Sequence, residues 1–198
     1  MSQSPDVKYW NDLYLNNDKP WDMGSASTPL KEYFDQLTNK HLSILIPGAG
    51  NAYEAEYLVN AGFTNVFVCD IAPIPLQNLL SRCPQIGVKH LLEEDFFELK
   101  DKKFDLIIEQ TFFCAIDPSL REKYFQKVNE LLNKNGKLVG VLFNDKLNDN
   151  KPPYGGTKEE YQNYFKDLFK VNVYETAYNS IKPRAGRELF INLEKSEI

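Results

Sequence analysis

Short apolar runs recur along the chain from Leu42 onward, and stretches with helical periodicity separate them. This alternation is typical of a parallel sheet with helices on both faces. Seven runs have the length and composition of strands, at residues 42–47, 65–70, 88–92, 104–109, 137–143, 170–178 and 188–193. The pattern therefore predicts an α/β fold with a seven-stranded, doubly wound, Rossmann-like sheet.

Helix boundaries are marked most clearly after the first run. Asn51 is placed to cap a helix, Glu54 follows three residues later as the second member of a capping box, and Gly62 follows as a terminator. Further helices are predicted at 73–82, after Asp117 up to Asn135, and at 158–168. Segment 144–157 is polar and rich in turn residues, and it is long enough for a functional loop.

The residues before the first strand predict two helices joined by a loop. The second helix runs over 28–37, with Thr28 as its cap and Pro29 at its first position. The loop at 19–24 carries Trp21 and is a candidate lid. The first helix, within 5–17, has an apolar face formed by Val7, Trp10, Leu13 and Tyr14. We expect one domain over residues 1–198, with 1–40 as a helical cover on a core at 41–198.

Composition and charge narrow the range of functions. Hydrophobic residues make up 42% and charged residues 26% of 198 residues, which is the range of globular domains. The sequence contains no apolar run of membrane-spanning length and no signal-peptide pattern, so we expect a cytoplasmic protein that does not bind membranes. Net charge is −5 and no basic stripe is present, which argues against nucleic acid as a substrate. Three cysteines without metal-ligand spacing, Cys69, Cys83 and Cys114, are expected to be reduced structural thiols with no metal.

A glycine turn after the first run and an acid after the second indicate a site for an adenosine-containing cofactor. Gly48 and Gly50 allow close approach of the backbone, and Asp70 stands where an acid binds ribose hydroxyls. A dinucleotide fingerprint needs a third glycine at position 53, where this chain has tyrosine, so a pyrophosphate fits poorly.

A second acid follows the third run. Asp95 is a candidate acceptor from an adenine amine, with Phe96 against the ring. An amino-acid carboxylate would suit the helix N-terminus that follows the glycine turn. Together these features favour S-adenosylmethionine and disfavour a nucleotide-dependent oxidoreductase.

The sequence resembles the thiopurine S-methyltransferase family, and most closely its plant-type halide/thiol methyltransferase branch. The resemblance runs from about residue 10 to residue 193. Its segments are Lys19-Pro-Trp-Asp-Met-Gly24, Ile46-Pro-Gly-Ala-Gly50, Glu94-Asp-Phe-Phe97, Phe104-Asp-Leu-Ile-Ile-Glu-Gln-Thr-Phe-Phe-Cys-Ala-Ile-Asp-Pro118, Pro152-Pro-Tyr154 and Ser180-Ile-Lys-Pro-Arg-Ala-Gly186.

The resemblance implies a class I S-adenosylmethionine-dependent methyltransferase. The cofactor residues it implies are Trp10, Tyr14, Trp21, Gly48, Asp70, Asp95, Phe96 and Gln110. Relatives usually have glycine at the position of Ala52, and often tyrosine at that of Gln110 and an aromatic such as tyrosine near Phe143. The phenylalanine at position 143 removes a hydroxyl on the acceptor side, so the resemblance does not determine which acceptor is methylated.

On the acceptor side the candidate catalytic residues are Tyr154, Arg184, Phe113 and Phe143. Three of them have a second interpretation. Arg184, like Arg187, is alternatively an exposed arginine, Tyr154 is alternatively a loop anchor, and one of Phe112 and Phe113 is expected to be a core residue. Aromatic faces hold a sulfonium by cation–π contact, and Trp10, Trp21, Phe112 and Phe113 are candidates for this. The two histidines, His41 and His90, are not expected to be catalytic.

Soft nucleophiles need no strong base, because a thiol is already partly ionised at neutral pH. The leading hypothesis is methyl transfer by in-line displacement to a small thiol, hydrosulfide, thiocyanate or halide. The alternatives are a thiopurine or aromatic thiol as acceptor, a cofactor-binding module without methyl transfer, and, less favoured, an oxidoreductase. The sequence does not indicate an oligomeric state.

Overall fold

The computed structural model describes residues 5–196, and within them seven strands form one sheet in the order β3-β2-β1-β4-β5-β7-β6. The strands are β1 (Ile44–Pro47), β2 (Val66–Asp70), β3 (Leu91–Glu93), β4 (Phe104–Gln110), β5 (Leu132–Phe143), β6 (Phe169–Thr176) and β7 (Glu188–Lys195). Strands β1 to β5 are parallel, whereas β7 runs antiparallel to both β5 and β6. The predicted seven-stranded α/β fold is confirmed, as a mixed sheet.

Helices cover both faces of the sheet. They are α1 (Val7–Leu15), α2 (Thr28–Asp35), α3 (Tyr53–Asn60), α4 (Pro73–Arg82), α5 (Arg121–Leu131) and α6 (Lys158–Phe165). One core lies under α2, α3 and α4 and includes Ile44 and Ile46, and the other lies under α5 and α6 and includes Leu45. Successive β1 residues enter opposite cores because side chains alternate along a strand. No helix in residues 5–196 combines the length and apolar character that crossing a bilayer requires.

The capping box predicted for α3 is wrong. Ala52, in the left-handed region at φ 51°, is the N-cap of α3. Glu54 is buried and its Oε1 accepts a hydrogen bond of 2.8 Å from the Ser27 amide at the start of α2. Asn51 Nδ2 donates to Asp22 Oδ2 at 2.5 Å. Both side chains therefore attach the N-terminal cover to the core.

Other boundaries differ from the prediction by a few residues. The third strand begins only at Leu91, and His90 lies in the preceding 3-10 helix, where its Nδ1 is 2.6 Å from the Ile86 carbonyl oxygen. Strand β5 begins at Leu132, before the predicted helix stop at Asn135. Ser27 is the N-cap of α2, which ends at Asp35. Gly62 follows the C-terminus of α3 with φ 88°, as predicted.

Candidate active site

A cavity of about 540 Å³ lies at the carboxyl ends of the parallel strands, where ligands bind in doubly wound sheets. Residues that follow β1, β2, β3 and β4 form its inner wall, and α1 with the following loop forms its outer wall. Of the thirteen residues predicted for the site, ten line this cavity: Trp10, Tyr14, Trp21, Gly48, Gly50, Asp70, Asp95, Phe96, Phe143 and Arg184.

The glycine turn after β1 depends on both glycines. Gly48 and Gly50 have φ angles of 64° and 53°, in the left-handed region that favours glycine. The Gly48 amide donates to the Cys69 carbonyl at 2.8 Å, which ties the turn to β2. A Cβ on Gly48 would lie 2.5 Å from Cδ2 of Phe112, so the turn packs directly against that ring.

Substitution of Gly48 by alanine is expected to destabilise the protein. The added Cβ would both strain the backbone and collide with Phe112, lowering the free energy of unfolding by about 2–4 kcal/mol. Gly62→Ala is the matched control, because Gly62 also has positive φ, at 88°, yet a Cβ there would have no described atom within 4 Å. Urea denaturation should show that the control variant loses only about 1 kcal/mol in the free energy of unfolding. Equal losses in the two variants would contradict the close packing of Gly48 on Phe112.

Asp70 ends β2 and lines the cavity. Its Oδ1 accepts a hydrogen bond of 2.8 Å from the Ala72 amide. Burial raises the pKa of Asp70 to about 6, and the backbone amides of Ala72, Ala49 and Gly50 oppose that rise. The carboxylate is therefore ionised at neutral pH in a partly enclosed position.

The acid and the aromatic after β3 lie on the same wall. Asp95 caps a short 3-10 helix, Phe96–Glu98, by accepting from the Phe97 amide at 2.8 Å. Phe96 is 3% exposed and its ring centroid is 5.4 Å from that of Phe112. Phe96 and Phe112 together form an apolar surface beside the two acids Asp70 and Asp95.

Helix α1 lies over the cavity without any buried residue of its own. Trp10, Leu13 and Tyr14 line the cavity, and the rings of Trp10 and Tyr14 make edge contacts with Trp21 at 5.9 and 6.1 Å. Burial and the nearby Asp70 carboxylate raise the pKa of the Tyr14 phenol above its usual value. The apolar face of α1 is thus directed at open space, as expected for a cover that closes on a ligand.

Arg184 is buried, so its interpretation as an exposed arginine is wrong. Its Nη1 donates to Glu188 Oε1 at 3.0 Å and its Nη2 donates to the Trp21 carbonyl at 2.8 Å. The guanidinium carbon lies 5.2 Å from the centroid of the Phe143 ring. Arg184 therefore joins the N-terminal cover to the start of β7 while also lining the cavity.

Three predicted site residues lie away from the cavity wall. Phe113 is 2% exposed and packs among Tyr124, Phe125 and Tyr161 in the core, so Phe112 is the member of the pair that lines the cavity. Both phenylalanines lie in the turn after β4, where Thr111 has φ 60°, and the backbone there directs their rings to opposite sides.

Tyr154 and Gln110 are the other two predicted site residues that lie away from the cavity wall. Tyr154 is 4% exposed and lines a separate, smaller cavity beneath loop 145–157, and its amide donates to the Cys114 carbonyl at 2.7 Å. It is therefore a loop anchor. The Gln110 side chain accepts from Thr111 Oγ1 at 2.8 Å, and Thr111 takes its place on the wall.

Sequence reasoning gave no role to Glu109, which is fully buried at the end of β4. Its Oε1 accepts from the amides of Phe112 and Phe113 at 2.8 and 2.9 Å, and its Oε2 accepts from Tyr124 at 2.7 Å. Burial raises the pKa of Glu109 to about 7, against these three hydrogen bonds. An acid next to the apolar run Leu106–Ile108 was the one sequence feature that could have marked it.

The end of the cavity at β5 and β7, remote from Asp70 on β2, is lined by three basic side chains, Arg184, Arg187 and Lys151. Arg184 is paired with Glu188 and Arg187 with Asp145, and Asp117 also lines the cavity. Neither His41 nor His90 lines the cavity, and His41 is near Thr64, with 3.2 Å between Nδ1 and Oγ1. Residues 5–196 contain no group of histidine, cysteine and acidic side chains arranged to bind a metal ion.

The family model and the relatives that this chain resembles are all described as methyltransferases. The model of the family described as thiopurine S-methyltransferase (TPMT) matches residues 6–195. A probable thiol methyltransferase 2 of Arabidopsis thaliana is 27% identical over 94% of this chain and 84% of its own length. Thiocyanate methyltransferase 1 of Brassica oleracea is 28% identical over 90% of this chain and 81% of its own.

Among solved structures, the N-methyltransferase NodS of Bradyrhizobium japonicum, in complex with S-adenosyl-L-homocysteine, has a TM-score of 0.73. It is 17% identical, and the likeness covers 97% of this chain and all of that one. At this level of identity the likeness concerns the fold.

Proposed function

The chain belongs to the thiopurine S-methyltransferase family, and on that premise we propose that it transfers a methyl group from S-adenosylmethionine to a small, soft, anionic nucleophile. Its activity is therefore that of an S-adenosylmethionine-dependent methyltransferase.

The observation that carries the proposal is the division of one cavity into two chemically different ends. Asp70 and Asp95 lie beside the glycine turn, whereas Arg184, Arg187 and Lys151 line the other end. A nucleoside with donor hydroxyls and an amine suits the acidic end, and an anion suits the basic end.

The residues present fit the cofactor. Gly50 lines the cavity, and a Cβ there would meet only the Gly48 carbonyl oxygen, at 4.0 Å, so the backbone at Gly50 is open to a ligand. We propose that Asp70 accepts from the ribose hydroxyls and Asp95 from the adenine amine. Phe96 would pack on the adenine ring. Trp10, Tyr14 and Trp21 would close over the ligand, since they line the cavity from the cover. Gln110 is left out of this set, because its side chain pairs with Thr111.

When bound, S-adenosylmethionine supplies a methyl carbon on a sulfonium: the acceptor lone pair forms the new bond to that carbon, and the broken C–S bond leaves its electron pair on sulfur as a neutral thioether. The protein's contribution is to align acceptor and methyl, because such a displacement needs no covalent help. The aromatic faces of Trp10, Trp21 and Phe112 are proposed to stabilise the positive charge, each by about 0.5–2 kcal/mol.

The acceptor proposed is a thiolate, hydrosulfide, thiocyanate or halide. Two observations support it: the basic end of the cavity, and relatives whose names are thiol and thiocyanate methyltransferase. No general base is required, because such a nucleophile is ionised or easily ionised at neutral pH. Arg184 and Phe143 are proposed to position it, with Lys151 supplying further positive charge.

A thiopurine or another aromatic thiol is the second candidate, and the name of the family favours it. Pro152 and Pro153 give the acceptor end an apolar surface on which a ring could rest. A module that binds the cofactor without methyl transfer is the third candidate, because Phe143 lacks the hydroxyl often found in relatives.

We further propose that residues 1–198 act as one domain, and that the protein works in the cytoplasm on small molecules. The three cysteines Cys69, Cys83 and Cys114 are free and buried, which fits a reducing compartment.

Binding of S-adenosylhomocysteine is expected to weaken in acid. Ribose hydroxyls donate to the ionised Asp70 carboxylate, whose pKa is about 6 in the free protein. Below that pH the carboxyl is protonated before binding, so the affinity should fall about tenfold from pH 7 to pH 5. Calorimetry at several pH values measures this dependence. Asp70→Asn should bind weakly and without the pH dependence, and a wild-type affinity that stays constant over this range would contradict the role of Asp70.

Calorimetric titration with S-adenosylhomocysteine tests the cofactor part of the proposal. We expect binding at micromolar concentration and no change in NADH fluorescence on mixing with the same protein. Absence of S-adenosylhomocysteine binding at millimolar concentration would overturn the proposal, and binding of NADH instead would favour the oxidoreductase alternative.

A further inference from the structure

We propose that Glu109 is a positioning residue for the methyltransferase site, acting through the two backbone amides that it binds. The inference rests on the proposed function. It gives a role to a carboxyl group that is 0% exposed and does not line the cavity.

The segment that Glu109 holds has an unfavourable backbone conformation. Thr111 has φ 60°, a region that β-branched residues rarely adopt, so the surroundings must maintain it. The hydrogen bonds from the Phe112 and Phe113 amides to Glu109 Oε1, at 2.8 and 2.9 Å, close this turn immediately after β4. Cys114 Sγ adds a contact of 3.2 Å to the Thr111 carbonyl.

The turn determines where the wall of the cavity stands. Phe112 and Thr111 line the cavity, and the Phe112 ring occupies the space that a side chain on Gly48 would need. Phe113 points the other way and packs in the core against Tyr124 and Tyr161. By binding both amides with one oxygen, Glu109 fixes which of the two phenylalanines faces the ligand.

The same carboxylate reaches the adenine side of the cavity through Tyr124. Tyr124 donates to Glu109 Oε2 at 2.7 Å, and its ring lies 5.6 Å from Phe96. Glu109 therefore connects Phe112 and Phe96, the two rings that form the apolar wall beside Asp70 and Asp95.

The neighbouring strand packs closely on this position. Gly140 pairs with Glu109 across β4 and β5, and a Cβ on Gly140 would lie 2.4 Å from both Glu109 Cβ and its carbonyl oxygen. The close approach of β5 to β4 beside the turn therefore requires glycine at position 140.

The test compares Glu109→Ala with Glu109→Gln. Alanine leaves two amides without an acceptor, so the turn must be ordered when the ligand binds, and S-adenosylhomocysteine affinity should fall about tenfold or more. Glutamine keeps a carbonyl oxygen for both amides and should retain affinity within about threefold. Exchange of the Phe112 and Phe113 amide protons should become at least about tenfold faster in the alanine variant and recover with glutamine.

Asp105→Ala is the matched control, since it removes another acid of β4 at the opposite end of the strand. Asp105 accepts from the Ser43 amide at 2.9 Å and from Asn133 at 2.7 Å, and it does not line the cavity. This variant should lose stability without losing ligand affinity. Affinities are measured on folded protein, well below the unfolding temperature of each variant.

The outcomes separate the two claims. Failure of the wild type to bind S-adenosylhomocysteine would overturn the proposed function and the inference with it. Wild-type binding, together with equal affinity in Glu109→Ala, would overturn the inference alone. If Glu109→Gln binds S-adenosylhomocysteine as weakly as Glu109→Ala, the inference would also be overturned, because the positioning contact requires an acceptor oxygen and not a charge.

Discussion

Replacement of Asp70 by alanine should weaken S-adenosylhomocysteine binding by at least about 100-fold, since two hydrogen bonds to a charged group contribute about 1.5–3 kcal/mol each. The protein itself should remain folded. Burial raises the pKa of Asp70, so the ionised carboxylate destabilises the folded state at neutral pH and its removal should not unfold the protein. Loss of affinity without loss of stability therefore identifies a binding residue.

Glu93→Ala is the control for this variant. Glu93 pairs with Asp70 across β2 and β3, but it is exposed and does not line the cavity. Its removal should leave the affinity within about twofold, because an exposed charge outside the site contributes little. Unchanged affinity in Asp70→Ala would rule out its role at the ribose.

Substitution of Arg184 by methionine should have the largest effect on stability. Glu188 is 3% exposed and would lose its ionic partner, and an unpaired buried charge costs about 3–5 kcal/mol. The Trp21 carbonyl would also lose its donor, so the cover should open and ligand affinity should fall. Urea denaturation and limited proteolysis near Trp21 measure the two effects.

A double variant distinguishes these two effects of Arg184. Arg184→Met with Glu188→Leu removes both buried charges, so stability should recover while the hydrogen bond to Trp21 stays lost. Arg187→Met is the control, because Arg187 pairs with Asp145 at the surface and should change stability little. Full ligand affinity in the double variant would contradict the role of Arg184 in holding the cover.

Local patterns in the sequence were sufficient to predict the sheet and most of the candidate cofactor wall. The glycine turn and Asp70 were predictable because backbone geometry and strand ends fix them within about twenty residues of chain. The Glu54 prediction failed because the side chain binds Ser27, 27 residues away in the sequence, and not its own helix end. Capping rules describe hydrogen bonds within a few residues of the helix end, so they do not predict tertiary partners such as Ser27.

The acceptor side was less predictable for the same reason. Arg184 donates to the carbonyl of Trp21, which is 163 residues away in the sequence. The burial of Arg184 follows from that contact. Phe112 and Phe113 are adjacent and chemically identical, so only the backbone conformation at Thr111 decides which ring lines the cavity. Tyr154 and Gln110 were assigned through resemblance, and local packing directs both side chains elsewhere.

Methyl transfer by the purified chain is the most direct test of the proposed function. The protein is incubated with S-adenosylmethionine and, separately, thiocyanate, hydrosulfide, iodide, a thiophenol and a thiopurine, and both the methylated product and S-adenosylhomocysteine are measured. We expect equal amounts of the two products with at least one small anionic acceptor, and less with Arg184→Met. Binding of S-adenosylhomocysteine without methyl transfer to any of these acceptors would contradict the proposed function and leave a cofactor-binding module.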